Sequence, residues 1–227
     1  MHIHEPQSLD CIPVICSCRN IITTDMQQRE APPIETDRVI LRSLSLDFLR
    51  LFSEQKVEEA QKLVDYRIPK NCHLLGHPQI LRRFKMIEID PHQHPWMYRA
   101  IVTKEDCRMV GFISFHHKAP DPDLETYSSY SVELGYTIEP AYRRKGYAKE
   151  SAIAMMEWAN CEHGVKEFFL TISPDNTPSL KLAETMGFNV VEEKEDPVDG
   201  LEYVMKAPVE IILKSRKAYQ GAARNFE

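Results

Sequence analysis

A chain of 227 residues, 43% apolar and 27% charged, fits one globular domain with appendages. Its 28 Lys+Arg against 34 Asp+Glu give a formal net charge of −6, which excludes the broad basic surface of a nucleic-acid partner but leaves room for a local basic pocket. No apolar run reaches the ~18–20 residues that span a bilayer, and the short stretch Cys11–Cys16 follows Glu5 and Asp10 rather than the basic start of a signal peptide, so a cytoplasmic chain with no membrane partner is expected.

Residues 1–33 show neither helical nor alternating periodicity and end in the semi-extended run Arg29-Glu-Ala-Pro-Pro-Ile34. A poorly ordered extension is expected there, with Met26 as a candidate native start. From Arg38 the pattern changes. Val39-Ile-Leu41 reads as a strand, and Ser45-Leu-Asp47 as a helix start ahead of Phe48, Leu49 and Phe52. Helical stretches around Val57–Tyr66 and Pro78–Ile89 follow. Met97–Val102 and Met109–Phe115 then read as a hairpin across the polar turn Lys104–Arg108.

In Ser131–Glu139 strict alternation puts Val132, Leu134, Tyr136 and Ile138 on one face and Glu133, Gly135 and Thr137 on the other. A glycine inside a strand predicts a bulge or a close approach to the backbone. A basic turn leads into a helix from Tyr147, whose Ala148, Ala152, Met155 and Ala159 share one face. Val165–Ile172 reads as a strand and Pro178–Met186 as a helix leaving through Gly187, with Phe188–Glu193 and Leu201–Leu213 closing the sheet. The resulting order, βααββ then βαβαββ, is a mixed α/β sheet. It assigns 34–214 to the domain and 215–227 to a tail.

The six cysteines, Cys11, Cys16, Cys18, Cys72, Cys107 and Cys161, form no CxxC pair and read as free thiols. His92-x-His94 and Cys72-His73 lack the spaced sets of three or four ligands of a metal centre, so no metal is expected. Among eight glycines no G-x-G and no G-x4-G-K-[ST] spacing occurs, which excludes the dinucleotide fingerprint and the P-loop.

What remains is the turn Arg143-Arg-Lys-Gly-Tyr-Ala148. A helix N-terminus offers unpaired amides and a partial positive charge to a diphosphate. Gly146 lets the backbone turn, and Arg143, Arg144 and Lys145 add full charges. A solvated basic turn is the plain alternative.

These residues carry a resemblance. Val132-Glu-Leu-Gly-Tyr-Thr-Ile-Glu-Pro-Ala-Tyr-Arg-Arg-Lys-Gly-Tyr-Ala148 resembles the acetyl-CoA signature [Q/R]-x-x-G-x-[G/A] of the GNAT superfamily. Asp175-Asn-Thr-Pro-Ser-Leu180 and Met186-Gly-Phe188 are similar to its N-x-x-S and GF elements, and Thr36–Arg42 looks like the first strand of the ribosomal-protein N-terminal acetyltransferase subgroup. The likeness runs from about Thr36 to about Leu213. It implies the GNAT fold, a mostly antiparallel mixed sheet splayed at its centre with helices on both faces. It also implies acetyl-CoA as co-substrate, its pantetheine arm pairing near Ile138, its pyrophosphate on the amides of 143–148, and Asn176 and Ser179 on the arm. Asn176 ahead of Pro178 also suits a simple turn.

The implied reaction moves acetyl to a primary amine, on a small molecule or a peptide N-terminus. An attacking amine must first lose a proton, and Glu133, where family members often carry an acid, is the candidate base. A solvated or substrate-orienting carboxylate is its alternative. The tyrosine that many members place four residues before the GF glycine is Ala183 here, so the general acid stays unassigned. That departure supports a second reading, a non-catalytic acyl-CoA-binding or regulatory domain. A third is an interaction module without CoA affinity. His116 and His117 are candidate substrate contacts, and Asp121, Asp123 and Glu125 a candidate acidic rim for a cationic amine. A monomer or homodimer is expected.

Overall fold

In the computed structural model, residues 31–215 are described apart from 71, 74, 198 and 199. Met26, Cys11, Cys16, Cys18 and most of both expected appendages lie outside them.

The elements in order are β1 (Ile34–Glu35), β2 (Val39–Ser43), α1 (Leu46–Ser53), α2 (Val57–Gln61), α3 (Pro78–Ile89), β3 (Arg99–Thr103), β4 (Met109–Phe115), β5 (Ser131–Ile138), α4 (Tyr147–His163), β6 (Glu167–Ile172), α5 (Thr177–Met186), β7 (Asn189–Asp196) and β8 (Gly200–Pro208). They form an eight-stranded sheet in the order β1-β2-β3-β4-β5-β6-β8-β7. Every pairing is antiparallel except β5 with β6. No helix among the described residues is long and apolar enough to cross a membrane.

Alternation along the strands builds two cores, one on each face. On the first, Val132, Leu134 and Ile138 of β5 join Phe168 and Leu170 of β6 under Ala152, Met155 and Ala159 of α4 and Ala183 and Met186 of α5. On the second, Ala100, Val102 and Phe112 pack under Phe48, Phe52, Ile80 and Ile87 of α1 and α3. The side-chain periods of the strands and of α4 therefore agree with the faces read from the sequence.

Two expected elements end early, for local reasons. The helix from Val57 stops at Gln61, whose side-chain amide donates to the Tyr66 carbonyl at 2.8 Å and accepts from the Ile68 amide at 2.8 Å. The side chain takes over the backbone bonding that further helical turns would supply. The strand expected over Leu201–Leu213 ends at Pro208, and 209–215 is helical. Val209 and Ile212 are its buried residues, at helical i, i+3 spacing, while Ile211 is exposed.

Candidate active site

β5 is the strand on which the site is built. Its pairing with β4 runs from Phe115↔Leu134 to Gly111↔Ile138, whereas its pairing with β6 covers only Ser131↔Glu167, Val132↔Phe168 and Glu133↔Phe169. Beyond Phe169, β6 continues to Ile172 with β8 alone as partner. The two central strands part after Glu133.

Peptide groups alternate sides along a strand. The Glu133 carbonyl accepts from the His116 amide at 2.9 Å, and the Glu139 amide donates to the Val110 carbonyl at 2.9 Å, so the odd-numbered residues of this stretch face β4. The main-chain groups of Leu134, Tyr136 and Ile138 consequently face the gap. The Ile138 carbonyl is engaged there by Arg143 Nε at 3.0 Å, which leaves its amide toward the opening. Leu134, Gly135, Tyr136, Leu170, Thr171, Ile172, Asn176 and Ser179 are among the residues lining this cleft, about 340 Å³ in volume.

Past its end at Ile138, β5 leads through a short turn to the start of α4. Gly146 caps that helix at φ +85° with no side-chain cap, and Arg144 just before it sits at φ +63°. A non-glycine residue in the left-handed region is strained, and such strain concentrates at functional turns. The first helical bond runs from the Glu150 amide to the Gly146 carbonyl at 3.1 Å, so the amides ahead of it have no partner in the helical ladder. The N-terminus of a helix, here one of 17 residues, is suited to an anion.

The turn is pinned from the side. Glu150 accepts Thr36 Oγ1 at 2.6 Å and Arg38 Nε at 2.7 Å, and Arg38 Nη1 donates to the Lys145 carbonyl at 2.9 Å. Arg38 also offsets the Glu150 charge, which would otherwise oppose an anion at the helix start. Arg143, Arg144 and Lys145 are exposed, Lys145 lying over the Tyr142 ring at 5.2 Å. Asn176 caps α5 by accepting from the Ser179 amide at 3.3 Å while still lining the cleft. The turn role and the cleft role therefore belong to one residue.

A second cavity, about 260 Å³, lies on the other face of β5. His77 and Arg83 of the α3 region, Tyr98, Phe112 and Ser114 of the β3–β4 pair, and His116 contribute to its wall, and it shares Gly135 and Tyr136 with the cleft. The strand glycine has a visible reason: a Cβ on Gly135 would stand 3.1 Å from His116 Nε2. The close approach is made by the histidine ring.

Glu133 points to this face but is 9% exposed and lines neither cavity. Burial pushes its carboxyl up. The hydrogen bond and charge of His116, with Thr171 and Arg83, outweigh that and hold the pKa below the usual glutamate value. So depressed, Glu133 is ionised at neutral pH, and its contribution to stability is lost only as pH falls through that lowered value. Arg83 is buried, its guanidinium pulled below its ordinary pKa by that burial, and its Nη1 donates to the His116 carbonyl at 2.7 Å. Burial pushes the Tyr98 phenol up to about 12.

The other sequence candidates have local roles. His94 Nε2 donates to the Leu44 carbonyl at 2.7 Å, and Cys72 Sγ donates to buried Glu139 at 3.0 Å. His117 Nε2 lies 3.6 Å from Asp123 on the loop after β4, where Asp121 is buried and Glu125 exposed. Arg83 and Tyr98 are cavity-lining residues that the sequence did not announce. Only their burial marks them.

Residues 38–189 match the family model described as Acetyltransferase (GNAT) domain. The uncharacterized N-acetyltransferase YjdG of Bacillus subtilis is 32% identical over 159 residues, 68% of this chain and 88% of that protein. The uncharacterized N-acetyltransferase YnaD of the same organism is 29% identical over 90 residues, 40% of this chain and 48% of its own length. The fold is similar to that of ribosomal-protein-S5-alanine acetyltransferase from Vibrio fischeri, with a TM-score of 0.55 at 15% identity over 79% of this chain and 97% of that one.

Proposed function

Since this chain belongs to the GNAT acetyltransferase family, we propose that it carries an acetyl group from acetyl-CoA directly to a primary amine, on a small molecule or a protein N-terminus. The observation that supports this most is the parting of β5 from β6, on the strand that leads in the chain to the uncapped start of α4. The pantetheine arm lies in the gap as an added strand, bonded by the main-chain groups of Leu134, Tyr136 and Ile138. The pyrophosphate rests on the amides of 144–148, the Arg143 amide being held by the Pro140 carbonyl at 3.3 Å, with Arg144 and Lys145 supplying charge and Arg143 bracing the Ile138 carbonyl from the edge. Asn176 and Ser179 flank the arm from α5. The Ile138 amide polarises the acetyl carbonyl.

The acceptor amine enters from the second cavity, which meets the cleft at Gly135 and Tyr136. Approach from opposite faces of one strand lets the nitrogen reach the thioester without displacing the cofactor, so no acyl-enzyme is needed. The Glu133 side of β5 supplies the negative charge that draws the proton from the amine. Glu133→Gln is expected to lower amine acetylation by ~10²–10⁴-fold with acetyl-CoA affinity unchanged, read by product mass spectrometry and calorimetry. Failure of the full chain to bind CoA would overturn the cofactor site. CoA binding with no acetylation of any primary amine would favour a regulatory acyl-CoA-binding role, to which Ala183 in place of a tyrosine already gives some support.

A further inference from the structure

His116, the residue just after β4, stands opposite Glu133 on β5, their main chains joined by a 2.9 Å hydrogen bond. Directly opposed residues of an antiparallel pair turn their side chains to the same face. His116 Nδ1 accordingly lies 3.4 Å from Glu133 Oε2. The two side chains differ in what else they reach. Glu133 is nearly buried, also meets Thr171 of β6, and lines neither cavity, while His116 is about a third exposed at its side chain and lines the second cavity. Its other ring nitrogen, Nε2, sits over Gly135, the point where the two cavities touch. Arg83 fixes the His116 main chain from α3.

Resting on the transferase reading above, we propose that His116 is the base that takes the proton from the acceptor amine and that Glu133 acts through it as a positioning residue. With Glu133 ionised, the favoured neutral imidazole carries its proton on Nδ1, donating to the carboxylate, and presents the Nε2 lone pair to the cavity. The amine nitrogen attacks the acetyl carbon; the C–N bond forms as the C–S bond breaks, and the bonding pair leaves on sulfur. The proton shed by nitrogen goes to His116 Nε2 and from there to solvent. The CoA thiolate takes a proton from solvent. Glu133 stabilises the transient imidazolium. The arrangement also gives Gly135 its role, because any Cβ there would press on the ring.

The charged and titratable groups around His116 are Glu133 on β5, Arg83 and His77 from the α3 region, Tyr98 beside β3, and His117 and Asp121 in the adjoining loop. Of these Glu133 makes the direct side-chain contact.

The test uses the full chain, acetyl-CoA, and a panel of free-N-terminus peptides, lysine esters and polyamines, with kcat/KM followed against pH. His116→Asn keeps a donor near the Nδ1 position but has no base. It is expected to lose ~10²–10⁴-fold and the acid-side limb of the profile, with acetyl-CoA affinity unchanged. Glu133→Gln is expected to leave a slower enzyme that keeps the limb, since the base itself is still present. A carboxylate acting directly gives the reverse, with the limb surviving in His116→Asn and vanishing in Glu133→Gln. As a measurement independent of any variant, ¹⁵N spectra of the wild-type chain should show His116 with a protonated Nδ1 and a bare Nε2; the opposite tautomer overturns the assignment. A wild-type chain that acetylates an amine while His116→Asn matches its rate and profile sinks this inference alone. A wild-type chain that binds acetyl-CoA and acetylates nothing sinks the transferase reading, and this inference with it.

Discussion

The cleft between β5 and β6 and the cavity beneath α3 share Gly135 and Tyr136 but are built from different material. The cleft offers main-chain groups: the unpaired edge of β5 and the first amides of α4, backed by a turn that Arg38 and Glu150 hold in place. The cavity offers side chains carried by three separate elements, Arg83 from α3, Tyr98 beside β3 and His116 at the end of β4. Main-chain groups recognise what every acyl-CoA has in common. Side chains can change one at a time, and they select the acceptor. A transferase that keeps its donor while varying its acceptor benefits from this division.

Substitutions should respect that boundary. Arg83→Met fills similar volume, removes a buried charge and abolishes the hydrogen bond to the His116 carbonyl. Bonds made by charged groups contribute ~1.5–3 kcal/mol, so amine acetylation is expected to fall by roughly 10–100-fold. Acetyl-CoA affinity should remain within about threefold. An equal fall in CoA affinity would show that the two cavities are not independent. Gly146→Ala attacks the other side. Its φ of +85° is open to glycine and costs another residue ~1–2 kcal/mol. The turn either carries that strain or relaxes and misdirects its amides, and CoA affinity is expected to drop about tenfold, read by calorimetry. Acceptor KM at saturating acetyl-CoA should barely change.

The same division explains what the sequence could reveal. A main-chain site is made by consecutive residues, so Arg143, Arg144, Lys145, Gly146, Tyr147 and Ala148 stand together in the chain and read as one motif. Even the Asn176–Ser179 pair falls within a single helical turn. The strand alternation that put Glu133 and Gly135 on one face also needed no long-range information. The cavity was different. Arg83 reaches it from α3 and Tyr98 from beside β3, while His116 meets Glu133 only through the β4–β5 register, which the irregular stretch between Phe115 and Ser131 hides from a one-dimensional reading. His116 could be named as a candidate contact, but its pairing with Glu133 could not. The helical turn at 209–215 was missed for a related reason, since Val209 and Ile212 satisfy a helical period that a short apolar run does not reveal.

The smallest expected effect falls on Tyr136, which belongs to both cavities. Its hydroxyl is buried, and the Ser179 hydroxyl beside it falls short of a well-formed hydrogen bond. Burial pushes its phenol up, and the nearby Ser179 hydroxyl opposes the shift. A buried hydroxyl left unpaired costs ~1–3 kcal/mol, so Tyr136→Phe should stabilise the unliganded chain slightly, raising Tm by a few degrees at most. Because β5 contributes main-chain groups to the cleft, the loss of this side-chain atom should alter acetyl-CoA affinity by less than about threefold. A lower Tm would mean that the hydroxyl is bonded in solution. A tenfold loss of CoA affinity would mean that the donor side also relies on side chains, and the contrast between the two cavities would then hold only for the diphosphate end of the cleft.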